Sequence, residues 1–205
     1  MPVKTLKFIV LALAIASMSF NRPDAGLTDA ERQSAARVLQ DSKDALVRTV
    51  AGLTPEQLNF KPNADSWSIA ECVEHVAIAE NNFTMFVQQS LKTAADPSKR
   101  SEVKMTDDVV IKMITDRTTN VKTTEMFQPS GKFGSYGSTL AEFKSKRDNN
   151  LAYIKTTTDD LRNHYNDFPF GKIDAYQTIL FMAGHSIRHT EQIAEIMKDR
   201  KFPKK

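Results

Sequence analysis

The chain has 205 residues, with 28 Lys+Arg against 25 Asp+Glu, 40% hydrophobic residues and one cysteine. That length supports one domain with its own core. A lone Cys72 excludes both a disulfide framework and a cysteine-rich zinc finger. Collagen-like and low-complexity polymers are excluded by 7 Gly and 8 Pro, and the apolar content leaves no room for a polytopic membrane protein.

The first residues, MPVKTLKFIVLALAIASMSF, place Lys4 and Lys7 ahead of an apolar run from Phe8 to Ala16, followed by small residues. This layout predicts a secretory signal over residues 1–19 and a helical-bundle domain over 26–201. The run is short for a retained membrane anchor. An exported protein, periplasmic or extracellular, is therefore expected, with no membrane attachment in its mature form. Loss of Lys4 and Lys7 lowers the formal charge from +3 to +1. With no basic stripe interleaved with aromatics, no nucleic-acid partner is expected, and the terminal KDRKFPKK reads as a solvated tail.

The remainder reads as all-α. From Thr28, residues Ala35, Val38, Leu39, Leu46 and Val50 form one stripe at three- and four-residue steps, and Thr28 with Glu31 forms a capping box. Pro55, Pro62 and Asn63 then break the periodicity. Ser68 and Glu71 open a second helix reaching about Leu91, with Ile69, Cys72, Val73, Val76, Phe83 and Val87 inward. A third amphipathic segment begins at Thr106. Phe127 to Gly137, rich in glycine, reads as a loop, and a fourth helix begins near Ser138. A last connection, HYNDFPFGK, leads to a long helix capped by Asp174 and Gln177 and running to about Asp199. No hairpin signal is visible, so no sheet is expected. About five helices of roughly 15 to 25 residues, joined by loops long enough for crossovers, fit a four-helix bundle with an additional short helix or long loops.

Candidate chemistry concentrates in the histidines. His185 and His189 lie four apart in GHSIRHTEQI, which turns the second ring by only about 40° from the first and raises it one turn. His75, in ECVEHVAIAE, flanks the apolar stripe of the second helix. Three imidazoles meeting from two helices would form a neutral, facial metal site with open positions. A histidine beside an apolar stripe is equally the mark of a hydrogen-bonded core residue, and spacing alone leaves both readings open. Ser186 stands where the base of an HExxH peptidase would be, which excludes that mechanism.

Other positions carry roles of their own. Gln192 shares the face of His185 and His189 and is a candidate to bond a ligand or substrate, or a solvated flank. Glu71, one turn before His75, is a candidate to orient that ring, although capping already explains it. Arg188 is a candidate for an anionic substrate or a surface salt bridge. Cys72 reads as a buried hydrophobe in preference to a fourth ligand. His164 is expected at a pocket rim or on the surface, and Trp67 as a hydrophobic staple beside the Ser68 cap.

The runs LTPEQLNFKP, DSWSIAECVEHVAIAE and FGKIDAYQTILFMAGHSIRHTEQI together resemble the DinB/YfiT family of metal-dependent enzymes across essentially the whole chain after the signal segment. The resemblance implies a four-helix bundle in up-down-down-up order, with His75, His185 and His189 holding one divalent ion (zinc, nickel or iron) per subunit. It also implies a metal-dependent enzyme of hydrolase or thiol-dependent transferase type, acting on a small-molecule substrate, and an association into homodimers. Export disfavours the thiol version, because such thiols are mainly cytosolic. The competing reading is a non-catalytic exported helical-bundle module that binds metal or a partner.

Overall fold

The computed structural model describes residues 26–119 and 122–204, so the expected signal segment lies outside the described residues. Thr28 opens α1 (Asp29–Val50): its hydroxyl accepts the Glu31 N–H at 3.2 Å while the Glu31 carboxylate accepts the Thr28 N–H at 2.8 Å. The same reciprocal cap starts α3 (Ile69–Ser90) from Ser68 and Glu71, and α6 (Ala175–Met197) from Asp174 and Gln177. These are the boundaries the capping residues predict. A fourth box, Thr54 with Gln57 followed by Pro55, builds the short α2 (Pro55–Asn59) inside what reads as a linker. α5 (Tyr136–Thr156) starts ahead of Ser138 because the Ser135 hydroxyl accepts the Ser138 N–H. The third amphipathic segment is shorter than expected, with α4 spanning only Asp107–Thr115.

Helix directions follow from the order in which each helix meets three successive layers of the interior. One apolar cluster contains Leu39, Ala79, Phe83, Leu151 and Met182; a second contains Leu46, Val76, Phe143 and Ile193. Between them lies a charged layer. Buried Arg147 forms a paired contact with Glu80, both bonds at 2.8 Å. Its remaining donors reach the Leu39 carbonyl at 2.9 Å, the Ser42 hydroxyl at 2.5 Å and the Ser186 hydroxyl at 2.7 Å. Asn150 adds a bond to Glu80 at 2.8 Å. Thus α1 and α6 pass from the first cluster to the second, and α3 and α5 pass the other way, which is an up-down-down-up bundle.

Because α3 and α5 run in the same direction, residues 91–135 must travel back along the bundle, about 33 Å for a 22-residue helix. Two 3₁₀ turns (Pro97–Glu102 and Glu125–Phe127) and α4 fill this crossover. α4 lies against α6 at Gly184, where a Cβ would overlap the Cγ2 of Ile114. The Arg162 guanidinium ties the ends together. It bonds Glu31 at 2.6 Å, Asp107 at 2.7 Å and Asp174 at 3.1 Å, so the N-terminal ends of α1, α4 and α6 share one cation.

Two expectations are corrected. Residues Tyr165–Phe168 (β1) and Gly171–Asp174 (β2) form an antiparallel hairpin, with Phe168 opposite Gly171 and a tight turn at Pro169 and Phe170. Gly171 has φ of 127°, a conformation that side-chain-bearing residues rarely adopt. An isolated hairpin is marginal in water; this one is anchored by fully buried Ile173 and by Phe168, which packs on Phe181. His164 is not at a pocket rim. It is buried, bonded to the carbonyls of Asp160 at 2.7 Å and Thr93 at 3.0 Å, and fastens the start of the hairpin to the chain after α3.

Removing one partner of the charged layer leaves the other buried without compensation. Arg147→Ala is expected to lower unfolding free energy by about 3–5 kcal/mol, measured by urea titration. Combining Arg147→Met with Glu80→Leu is expected to recover part of that loss; a double variant less stable than Arg147→Ala would contradict this account.

Candidate metal centre

α3 and α6 are antiparallel neighbours, and this places His75 opposite the His185/His189 pair. One ring nitrogen from each of the three lies within 4.8 Å of the others, and all three residues are buried. Ring centroids are 4.8 Å (His75 to His185), 4.4 Å (His75 to His189) and 4.5 Å (His185 to His189) apart. On α6 the same turn sends Ser186 inward to Arg147, so adjacent residues face opposite tasks.

The outer nitrogens are largely fixed. His75 Nδ1 lies 2.7 Å from the Phe127 carbonyl, which can only accept, so the ring donates there and turns the lone pair of Nε2 toward the cluster. His189 Nδ1 lies 2.8 Å from Gln192 Oε1, which fixes that ring in the same way. His185 Nε2 lies 3.1 Å from His75 Nε2, and His185 Nδ1 has no hydrogen-bond partner among the described residues. Burial lowers the pKa of His75 to about 4 and that of His189 to about 3, and holds His185 well below the ordinary histidine value. His75 and His189 thus turn lone pairs toward one point, and the Nε2 of His185 stands beside them. This donor set fits a divalent ion.

The other candidate residues separate. Gln192 is not a solvated flank; it holds His189. Glu71 does not orient His75: its carboxylate is occupied by the Ser68 N–H at 2.7 Å and Lys61 at 2.7 Å, the demands of the cap. Among the described residues, Arg188 makes no surface salt bridge. It lies beside the histidines and donates to the carbonyls of Asp116 and Thr119, holding the crossover over α6. Cys72 is fully buried in the second apolar cluster, where burial pushes its thiol up to about 12, and it does not join the three histidines as a fourth ligand. Trp67, expected only as a staple, also lays its ring 4.7 Å from His75 and 6.2 Å from His189.

The cluster opens into a cavity of about 550 Å³. Its walls come from α3, α6, the crossover and the hairpin turn, with Phe83, Phe127, Phe168, Phe170 and Phe181 prominent. Among the described residues, Asp116 is the only carboxylate in this lining, and it is capped by the N–H and hydroxyl of Thr118 at 2.8 and 2.7 Å. Neither the hairpin nor Phe127 is legible as part of a site from the sequence, since neither stands at any spacing relation to the histidines.

A histidine whose pKa is lower folded than unfolded makes the unfolded chain bind more protons between the two values, so stability rises with pH across that window. The metal-free protein is expected to lose stability as pH falls from about 6.5 toward 4. Urea midpoints across this range would show the loss, and it should flatten when His75, His185 and His189 are all changed to Gln.

Comparison with known proteins agrees with this architecture. Residues 38–193, more than half of the chain, match the model of the DinB superfamily. The uncharacterized protein YuaE of Bacillus subtilis (strain 168) is 27% identical over 146 residues, covering 71% of this chain and 86% of that protein. Among solved structures, YfiT from Bacillus subtilis, described as a probable metal-dependent hydrolase with an unusual four-helix bundle topology, matches with a TM-score of 0.58 at 16% identity. That match covers 86% of this chain and 91% of YfiT. At that identity the likeness speaks for the fold alone, and the family match over residues 38–193 shows that the chain belongs to the DinB superfamily.

Proposed function

We propose that the protein is a metal-dependent enzyme of hydrolytic type, in which His75, His185 and His189 hold one divalent ion at the floor of the cavity. The observation that carries this reading is the meeting of three buried, neutral imidazoles, two with their outer nitrogens pinned, on an accessible cavity. YfiT, its structural neighbour, is described as a probable metal-dependent hydrolase, which supports the same chemistry here. When bound, a divalent ion polarises a substrate oxygen and acidifies water or a thiol, giving a nucleophile near neutral pH.

The chain's own contributions are orientation and exclusion of water. The Phe127 carbonyl and Gln192 fix the tautomers of His75 and His189, so no proton has to leave these nitrogens before they donate. Trp67 closes one side of the histidines, and the Phe83 ring closes another at 5.6 Å from His185. Arg188, bound to the crossover carbonyls, places a cation at the cavity wall, where developing negative charge on a substrate is favoured. With the sequence-based expectation of export, hydrolysis is preferred to a reaction that consumes a cytosolic thiol. A cavity of this size beside the histidines favours catalysis over a closed metal store.

Purified without a histidine tag, the protein is expected to retain about one divalent ion per chain, measured by elemental analysis. His185→Ala and His75→Ala should lose it while keeping their helical circular dichroism. Gln192→Ala should retain metal with affinity reduced about 10- to 100-fold. Metal-free wild-type protein that binds no added zinc, nickel or ferrous iron would overturn the proposal.

A further inference from the structure

The cavity is not lined evenly. From its mouth inward, Phe170, Phe181, Phe83 and His185 form a continuous aromatic path, with successive centroids 5.1, 5.2 and 5.6 Å apart. Phe168 completes the outer part, nearly parallel to Phe170 at 9° and 5.1 Å, and 5.6 Å from Phe181. Phe127 continues the inner part, 5.4 Å from Phe83. The hairpin supplies Phe168 and Phe170, α6 supplies Phe181 and His185, and α3 supplies Phe83. Met113 and Ile114 of α4 add further apolar surface. Phe170 is 36% exposed at the mouth, an unusual position for a large apolar ring, although rings of the same wall lie beneath it.

A wall of this kind recognises by area and ring geometry. Apolar surface leaving water is favourable in proportion to its extent. Aromatic faces and edges additionally favour another ring at offset or edge-to-face separations like those seen here. The cavity's volume, about 550 Å³, is that of a site for a compact organic molecule. The polar lining is the three histidines with Arg188 beside them, and Asp116, Lys122 and three threonines of the crossover, whereas the hairpin side is apolar.

We propose that the substrate is an aryl-bearing small molecule. Its ring lies along the Phe170–Phe181–Phe83 wall, and its polar, reactive end reaches His75, His185 and His189. This rests on the metal-dependent reading only for the polar end; the ring's place depends on the phenylalanines alone. Phe170, Phe168 and Phe181 are therefore the specificity-determining residues, and the hairpin exists in this fold to carry two of them.

Calorimetric titration with acetohydroxamate, octanohydroxamate and 4-phenylbutanohydroxamate tests this, using wild-type, Phe170→Ala and Phe181→Leu protein in metal-free and zinc-loaded forms. The phenyl probe is expected to bind about 10- to 100-fold more tightly than acetohydroxamate, and more tightly than octanohydroxamate, whose alkyl chain is of similar hydrophobicity, in both forms. Phe170→Ala should remove about fivefold or more of that gain without altering acetohydroxamate binding. Phe181→Leu, which keeps an apolar side chain in the bundle, should reduce the preference for the phenyl over the alkyl probe. Equal binding of phenyl and alkyl probes, or indifference to both substitutions, would overturn the proposal. If the phenyl gain persists while zinc improves none of the probes, the ring site stands and the metal-dependent reading falls. If zinc improves all three equally and the phenyl group adds nothing, the reverse holds.

Discussion

The structure depends on one buried cation. Arg147, with no exposed surface, is the point where all four long helices meet: Glu80 from α3, the Leu39 carbonyl and Ser42 from α1, and Ser186 from α6. Burying a guanidinium is costly unless its donors are satisfied and its charge is matched. Here a bidentate carboxylate and three further acceptors do both, and a shifted helix would strand at least one of them. The layer is therefore a register device. It sets the depth of each helix against the others, which the apolar clusters on either side, being tolerant of sliding, do less well.

The register matters to the site because Ser186 and His185 are neighbours. Fixing Ser186 on Arg147 fixes the rotation of α6 about its axis, which directs His185 and His189 toward α3. Glu80 does the same for α3, a little more than one turn from His75. The histidine cluster thus inherits its geometry from a polar interaction made by neighbouring residues of the same helices. No carboxylate of the layer lines the cavity, so the layer brings no anion to the histidines.

What the sequence reveals, and what it conceals, divides along contact range. Thr28, Ser68 and Asp174 mark helix starts because each cap is completed three residues away. His185 and His189 are legible as a pair because one helical turn separates them. His75 is legible through its flanking position and the family resemblance. Arg147 and Glu80, 67 residues apart, carry no periodic signal, and in a helical projection either is an ordinary polar residue. The hairpin is hidden for another reason: Pro169 and Phe170 are not a recognised hairpin turn, and only Ile173 and the phenylalanines beneath it make the strands worth forming. Phe127 serves His75 through its carbonyl, and no sequence pattern distinguishes one carbonyl from another.

That anonymity has an evolutionary consequence. The crossover grips the site through main-chain oxygens, those of Asp116 and Thr119 on Arg188 and that of Phe127 on His75. Main-chain oxygens survive almost any replacement of the residue that bears them. The roof can therefore exchange its side chains freely, altering what it admits, while its grip on the histidine floor is passed on unchanged, so that new selectivity can arise without first dismantling the cluster beneath it.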